Sequence, residues 1–402
     1  MSNGLANLPV FGILAVAATL VSVDPDAYRN IVREDGILEW VTFWTFLVAA
    51  GVLGATVVAT FAVSRRGTGP PSPNTPSRPE PDRHQWPWFL AGLGLFCLGV
   101  ALEEISWGQR LLGYRPPAYF LAENFQQEFN FHNTIDDDLR QLGFLAVCLG
   151  YGVALPLSRM APAMRRWLDL LGIVAPPPGL IPAFAATAIL YRVYPWDHTG
   201  EWAEAMLGTA MLFAAVIHSH AAGKHGREGL ASAEFDALSL DRRPSAAPGR
   251  RWITAWGATL LLGVGTAMLS GAMNPEDIKG INAARIELEA LRHDFASART
   301  RTRCGLHKRI YTMVEAYHQD HLFEGEFATL RDHGLPEDRA RYFLDPWNSP
   351  YWVQHTCSDD RRRRAIFVYS MGPDRRRDSS AWEIVEDDLG VWISRPQPTR
   401  GD

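Results

Sequence analysis

Trp86 to Leu102 is an apolar run that ends in Glu103-Glu104-Ile105-Ser106-Trp107-Gly108-Gln109-Arg110. Its length approaches the roughly 20 residues that carry a helix across the hydrocarbon of a bilayer. Two adjacent carboxylates at the end of such a segment are costly to place, so they mark a candidate site whose partners must be found. A second polar cluster follows at once: Glu123-Asn124-Phe125-Gln126-Gln127-Glu128-Phe129-Asn130-Phe131-His132-Asn133.

Six further runs of the same character flank this one, near 8–23, 37–63, 141–158, 173–192, 202–222 and 252–272. The first has no basic stretch before it and no small-residue cleavage site after Val23, so it reads as a retained helix. The expected fold class is therefore an α-helical membrane bundle of about seven transmembrane helices, followed by a soluble α+β domain. Residues 1–250 form the multi-pass part with six spans, 251–276 the seventh span, and 277–402 the extramembrane domain. Membrane lipids are the first expected partners.

Charge and loop composition set orientation. The chain has 402 residues and a net charge of −5, and no basic stripe is interleaved with aromatics, which argues against nucleic acid as a partner. Loops on the N-terminal side of the membrane hold Arg65, Arg66, Arg78, Arg83, Arg159, Arg165, Arg166, Lys224, Arg227, Arg242, Arg243, Arg250 and Arg251. The opposite loops hold only Arg29, Arg33, Arg110, Arg115, Arg140 and Arg192. Basic residues favour the cytoplasmic side, so the N-terminus is expected inside and the C-terminal domain outside the cytoplasm of a bacterial inner membrane. The Pro-, Gly- and Ser-rich stretch 67–85 is an internal linker.

With that topology, four polar motifs share the external side. They are Glu34-Asp35-Gly36 with Glu39-Trp40, the 103–110 string, the 123–133 cluster, and Asp197-His198-Thr199-Gly200-Glu201-Trp202-Ala203-Glu204. A helix through 123–140 would put Glu128, His132 and Asp136 on one face, four residues apart. Together with Glu201 they would offer ligands to a divalent metal. Glu103, Glu104, Arg110, Glu128 and His132 are then the candidate catalytic set, and a metal-bound water there would attack a lipid ester or amide at headgroup depth. A plainer reading stays open beside it. Trp40, Trp86, Trp88, Trp107, Trp196 and Trp202 suit an aromatic belt. Glu34 and Asp35 suit a helix N-terminus, and Asn124, Gln127, Asn130 and Asn133 suit the satisfaction of buried backbone groups. The motif string, with Glu34-Asp35-Gly36 and Glu39-Trp40, resembles an uncharacterised family of bacterial multi-pass membrane proteins over about residues 8–220. That resemblance implies that the motifs act as a unit, and it implies no activity.

Beyond Asn274-Pro275 the pattern changes. A charged helical periodicity runs over about 281–320, with Ile286, Leu288, Leu291, Phe295, Ile310, Met313, Val314 and Tyr317 as its apolar positions. Short strands are expected at Tyr351–His355, Ala365–Tyr369 and Leu389–Ile393, giving a long helix on a small antiparallel sheet. Asp345-Pro346 and Ser349-Pro350 are turn formers that deliver the chain into the first of these strands. The blocks Leu344 to Tyr351, Phe367 to Asp374 and Glu386 to Trp392 are similar to those of the major pseudopilin of type II secretion, the protein G family. The resemblance implies that fold, envelope or secretion-system proteins as partners, and calcium held by Asp374 with Asp387 or Asp388.

The chain also departs from that family. Arg375, Arg376 and Arg377 fill a loop that is acidic in it, and they have Glu383, Glu386 and Asp378 as alternative partners. The apolar helix before the domain is internal, preceded by Arg250-Arg251-Trp252, and lacks the family's processing site and glutamate. A borrowed fold is expected rather than a filament subunit. Of the four cysteines, Cys97 and Cys148 lie in apolar runs. Cys304 and Cys357 fall in the external domain, where an oxidising compartment favours a disulfide worth roughly 4 kcal/mol by chain entropy.

Two functions remain open at this point. The first is an envelope binding or assembly protein, motivated by the interaction fold. The second is a membrane enzyme acting on lipid or a lipid-linked substrate at the external leaflet. A transporter is disfavoured, since the spans show no inverted repeat and no matching pair of interrupted helices.

Overall fold

A computed structural model describes residues 6–32, 36–66, 87–112, 114–124, 126–231, 248–270, 275–297, 299–300, 304–316, 323–324, 335–358, 363–373, 375, 377–385 and 388–395. Among them helices predominate, joined by one four-stranded antiparallel sheet. The chain divides into two compact units, and the division departs from the boundaries expected at 250 and 276. The first unit takes in Gly36–Glu104 and Asp136–Thr266, with Met1–Val32. The second joins Ile105–Ile135 to Ala267–Asp402.

The first unit is helical at the positions that hydropathy marks. Its helices include Leu8–Val23, Ile37–Arg66, Trp88–Glu104, Asp137–Ser158, Ile181–Val193 and Thr199–Ala231, with most of Pro248–Ser270. Three are long and apolar enough to cross a membrane: Ile37–Ala62, Asp137–Ser158 and Thr199–His220. Leu8–Val23, Pro178–Val193 and Thr254–Met268 are apolar but shorter.

Burial separates the three long helices. The apolar stretch of Thr199–His220 is 72% buried, against 28% for Ile37–Ala62 and 17% for Asp137–Ser158. Thr199–His220 is thus the most enclosed of the three, its apolar stretch buried on several sides by its neighbours. Small residues make the contacts close. A Cβ on Gly208 would lie 2.4 Å from Thr45 Oγ1, and one on Gly152 would lie 2.1 Å from Phe184 Cγ. Such backbone approach is the usual way apolar helices associate where no hydrophobic force separates protein from solvent.

In the second unit the helix Pro275–Ser297 covers one face of the sheet. The strands are β1 (Leu306–Arg309), β2 (Trp352–Cys357), β3 (Arg364–Ser370) and β4 (Leu389–Ser394), paired antiparallel in that order. Alternation along the strands sorts the two faces. Val353 and Val368 pack with Leu288, Leu291 and Phe295 of the helix, with Val391 at the margin. Trp352, Phe367, Tyr369 and Met371 form the opposite cluster, joined by Trp392 and Ile384.

The expected helix over 281–320 is corrected here. It ends at Ser297, and β1 occupies Leu306–Arg309. Gly305 takes φ +83°, a left-handed conformation that suits glycine at the turn into β1. Its N–H donates to His355 O at 2.9 Å, which starts the β1–β2 ladder. Ile310 and Met313 keep their place in the core despite the change of element.

Candidate functional site

The 103–110 string turns sharply after its helix. Ser106, Trp107 and Gly108 all have positive φ, at 47°, 56° and 84°. For non-glycine residues this conformation costs of order 1 kcal/mol or more and persists only where surrounding contacts impose it. The contacts are present. Ser106 Oγ donates to Glu128 Oε2 at 2.8 Å, and Gln109 Oε1 accepts from Phe129 N at 2.7 Å. The Trp107 ring lies 6.1 Å from both Phe129 and Phe131, and Phe120 meets the same two edge-on at 4.7 and 5.0 Å. The two polar strings are folded onto one another around an aromatic cluster.

Buried amides hold the second string. Asn124, Gln127 and Asn130 are each at most 2% exposed. Asn124 Nδ2 donates to Glu128 O and Asn130 Oδ1, both at 2.7 Å, and its Oδ1 accepts from Gln126 N. Asn133 Nδ2 donates to Gln126 Oε1. These bonds replace a helix: each amide side chain satisfies backbone or side-chain groups that an irregular loop would otherwise bury unmade.

The same loop is built into the C-terminal fold. Leu121, 1% exposed, belongs to the core with Ala340, Tyr342 and Leu288. Gln127 Nε2 donates to Tyr342 O at 3.1 Å, and Arg115 bonds Asn348 Oδ1 and Asp338 Oδ2, each at 3.3 Å. The Arg115–Asp338 pair is exposed on the aspartate side and contributes little. Leu121 and Gln127 carry the attachment.

A cavity of about 20 Å³ lies where the loop meets the sheet, with Gln109, Gln127 and Glu128 on one side and Arg309, Trp352 and Arg375 on the other. That is room for about one water-sized group. Gln127 Oε1 is buried at this place with no hydrogen-bond partner among the described residues. Arg309 is 2% exposed, with its guanidinium 4.2 Å from the centroid of the Trp352 ring. Burying that cation is tolerable because the ring face is electron-rich and the cavity wall carries a carboxylate.

The sheet domain holds other buried polar groups. Glu287, 2% exposed, accepts from Arg339 Nη2 at 2.6 Å and from the Tyr351 hydroxyl at 2.8 Å. Asp345 accepts from Trp347 N, Ser349 N and Ser370 Oγ, which ties the Asp-Pro-Trp turn to β3. Burial pushes its carboxyl up to about 7, against the pull of those donors. His307 stacks on Trp352 with centroids 4.6 Å apart, and its Nε2 lies 2.8 Å from the Tyr369 hydroxyl. Burial, with Arg377 and Arg309 nearby, pushes its imidazole down to about 3, so the ring is neutral at ordinary pH.

The sequence-marked residues fall as follows. Glu103 and Glu104 close the helix Trp88–Glu104, and Glu201 lies in the first turn of Thr199–Ala231, all in the first unit. Glu128 and His132 belong to the second unit. The helix needed to align Glu128, His132 and Asp136 is not formed. Ala118–Glu123 stops at Asn124, His132–Thr134 is a short 3-10 turn, and Asp136 is the N-cap of Asp137–Leu145, accepting from Asp138 N at 3.0 Å. The four-residue spacing therefore defines no common face, and Asp136 has a capping role instead.

Of the residues implied for calcium, Asp374 and Asp387 lie outside the described residues, as do Glu34, Asp35, the linker 67–85 and the Arg110 side chain. Asp388 is described. Its Oδ2 accepts from Asp378 N and Ser379 N, while its buried Oδ1 has no hydrogen-bond partner among the described residues. Burial raises its carboxyl to about 6. Arg377 donates to Gln354 Oε1 and Ser379 O; Arg376 and Glu386 lie outside the described residues.

Cys304 and Cys357 are joined in a disulfide. With His355 they form the only group of three His, Cys, Asp or Glu side chains, among the described residues, whose ligand atoms converge. Gln109 lies in a string that the sequence marks, whereas Leu121, Arg309 and His355 join these clusters without having been marked. Only the odd placement of an arginine at a strand position that faces aromatics could have signalled one of them. Comparison with protein-family models, curated proteins and solved structures returned no match.

Proposed function

We propose that the protein is a bacterial envelope protein with a binding or assembly role, anchored in the cytoplasmic membrane and presenting its second unit outside the cytoplasm. In this reading about seven helices span the membrane with the N-terminus inside, and the sheet domain is a protein G-like module put to a different use. The observation that carries it is the engagement of the polar loop. Asn124, Gln127 and Asn130 are buried and spent on holding 105–135 in the C-terminal fold. Groups committed in this way supply architecture for a recognition surface. Three helices with the length and composition of membrane spans and a disulfide in the second unit support the same compartment.

The competing lipid-directed enzyme would need a metal or a poised acid and base at Glu103, Glu104, Glu128 and His132. One experiment separates the two. Single cysteines placed at exposed positions of the second unit are labelled in intact spheroplasts with a membrane-impermeant maleimide, and the purified protein is analysed for metal. External labelling with no stoichiometric metal is expected. Labelling only after lysis overturns the orientation, and stoichiometric metal that disappears in His132→Ala replaces this reading with the enzyme.

A further inference from the structure

Cys304, His355 and Cys357 come together through the register of two strands. Leu306 pairs with His355 in the β1–β2 ladder, so continuing the antiparallel pairing by two residues sets Cys304 against Cys357, with Cα atoms 5.4 Å apart. His355 and Cys357 are two residues apart on β2 and project from the same face. His355 is 3% exposed and is fixed by its surroundings, whereas Cys304 is exposed.

We infer that in the reduced protein these three side chains bind a thiophilic divalent cation, zinc above all, so that the disulfide and the metal exclude one another. His355 Nε2 lies 3.5 Å from Cys357 Sγ. A tetrahedral zinc with Zn–N near 2.0–2.1 Å and Zn–S near 2.3 Å sets its nitrogen and sulfur ligands about 3.6 Å apart. The histidine and one sulfur are therefore already placed at the edge of a zinc tetrahedron. All three ligand atoms lie within 4.8 Å of one another, and once reduction breaks their bond the two sulfurs need part only to the roughly 3.8 Å that a tetrahedral zinc sets between two thiolates. Two soft thiolates and an imidazole select zinc over calcium or magnesium. Three protein ligands leave a fourth position for water or an incoming group, as in sites where zinc is exchanged or used.

The chemistry balances with a dithiol as reductant. Its thiolate attacks the exposed Cys304 sulfur, the Cys304–Cys357 bond breaks, and the second thiol of the reductant closes its own disulfide, leaving two cysteine thiols. Zinc then binds with loss of both thiol protons and takes neutral His355 as its third ligand. A disulfide oxidant reverses the exchange. One thiolate attacks its sulfur, and the other thiolate attacks the resulting mixed disulfide. The oxidant leaves as a dithiol with the two electrons, and the restored Cys304–Cys357 bond releases the metal.

The test uses the full chain in detergent, in a Cys97→Ala/Cys148→Ala background, so that the remaining thiols are those of the site. After reduction with a phosphine and its removal, the protein is titrated with cobalt(II) and then zinc(II). One equivalent of cobalt with sulfur-to-metal charge-transfer and tetrahedral visible bands is expected, displaced by zinc, and no such binding in the oxidised protein. His355→Gln should weaken binding by more than about tenfold, since one of three ligands is lost. Its retained gel-mobility shift between oxidised and reduced forms shows that it still folds; should it fail to, Cys304→Ser must show the same loss. Absence of the charge-transfer band in the reduced parent, equal binding before and after reduction, or unchanged affinity in His355→Gln overturns the inference.

Discussion

In the first unit the helix Thr199–Ala231 buries Ala203, Ala210 and Ala214 beside Met206, Met211 and Phe213, and at Gly208 the Thr45 and Phe46 side chains close onto its backbone. In the second unit the helix Pro275–Ser297 meets the sheet through Leu288, Leu291 and Phe295, and beside them it buries the carboxylate of Glu287. The first unit mixes large apolar side chains with small residues that leave no room at particular points. The other is held by bulky side chains and by charges that must find partners. The contrast implies opposite weaknesses: added volume should damage the first unit, and deletion should damage the second.

The largest effect is expected where a buried charge loses its partner. Arg339→Met leaves Glu287 with the Tyr351 hydroxyl alone, and should destabilise the second unit by about 3 kcal/mol or more. Denaturant-dependent pulse proteolysis of that unit measures it, and a change below about 1 kcal/mol would mean that the charge is better solvated than its burial implies. Leu121→Ala comes next, at about 3 kcal/mol, from lost burial and the cavity left behind. Its particular value is location, because Leu121 stands between two apolar helices in sequence yet should lower the midpoint of the second unit. A loss confined to the first unit would break the division.

Gly208→Val tests the other side. Its Cβ would meet Thr45 Oγ1 at 2.4 Å, so overpacking of about 2 kcal/mol is expected in the first unit, with the second unchanged. The smallest effect concerns pH. Asp345 titrates near 7 when folded against an ordinary 3.8, so the folded state holds its proton over that interval. Its contribution to stability is full at acid pH and is lost as pH rises toward 7. His307, pushed down to about 3, acts in the opposite sense and costs stability below its ordinary 6.5. Asp345→Asn should therefore leave a second unit that gains less stability on acidification than the parent, with Asp388, raised to about 6, still acting in that sense against His307, as followed by its melting midpoint from pH 7 to 4. A profile identical to the parent would show that Asp345 does not titrate there.

The sequence read well where a signal is local. Apolar runs mark the long helices of the first unit, because burial in a bundle needs no exact partner to be visible, whereas the short amphipathic helices Pro25–Val32 and Pro162–Leu170 carry no such run. Strands β2 to β4 are legible from the turn formers Asp345-Pro346 and Ser349-Pro350 and from the alternation after them. β1 is not, since Leu306 and Arg309 are buried while His307 and Lys308 between them are half-buried, a pattern shared with a helix turn. Gly305 was the available clue. The polar loop was legible as a cluster and illegible as a structure, because its buried amides answer to partners far along the chain. Gln127 bonds a carbonyl 215 residues away. No spacing rule reaches that distance, and the one-face argument for Glu128, His132 and Asp136 failed for the same reason.

That last distance has a consequence for biogenesis. Residues 105–135 are synthesised long before Tyr342 exists, and at about 5–20 residues per second the ribosome needs roughly ten to forty seconds to supply it. Through that interval Leu121 and the buried amide of Gln127 have no finished core to enter. The protein must shelter a half-made domain while the helices from Asp137 to Ser297 are being laid down, which makes the order of translation part of how this fold is reached.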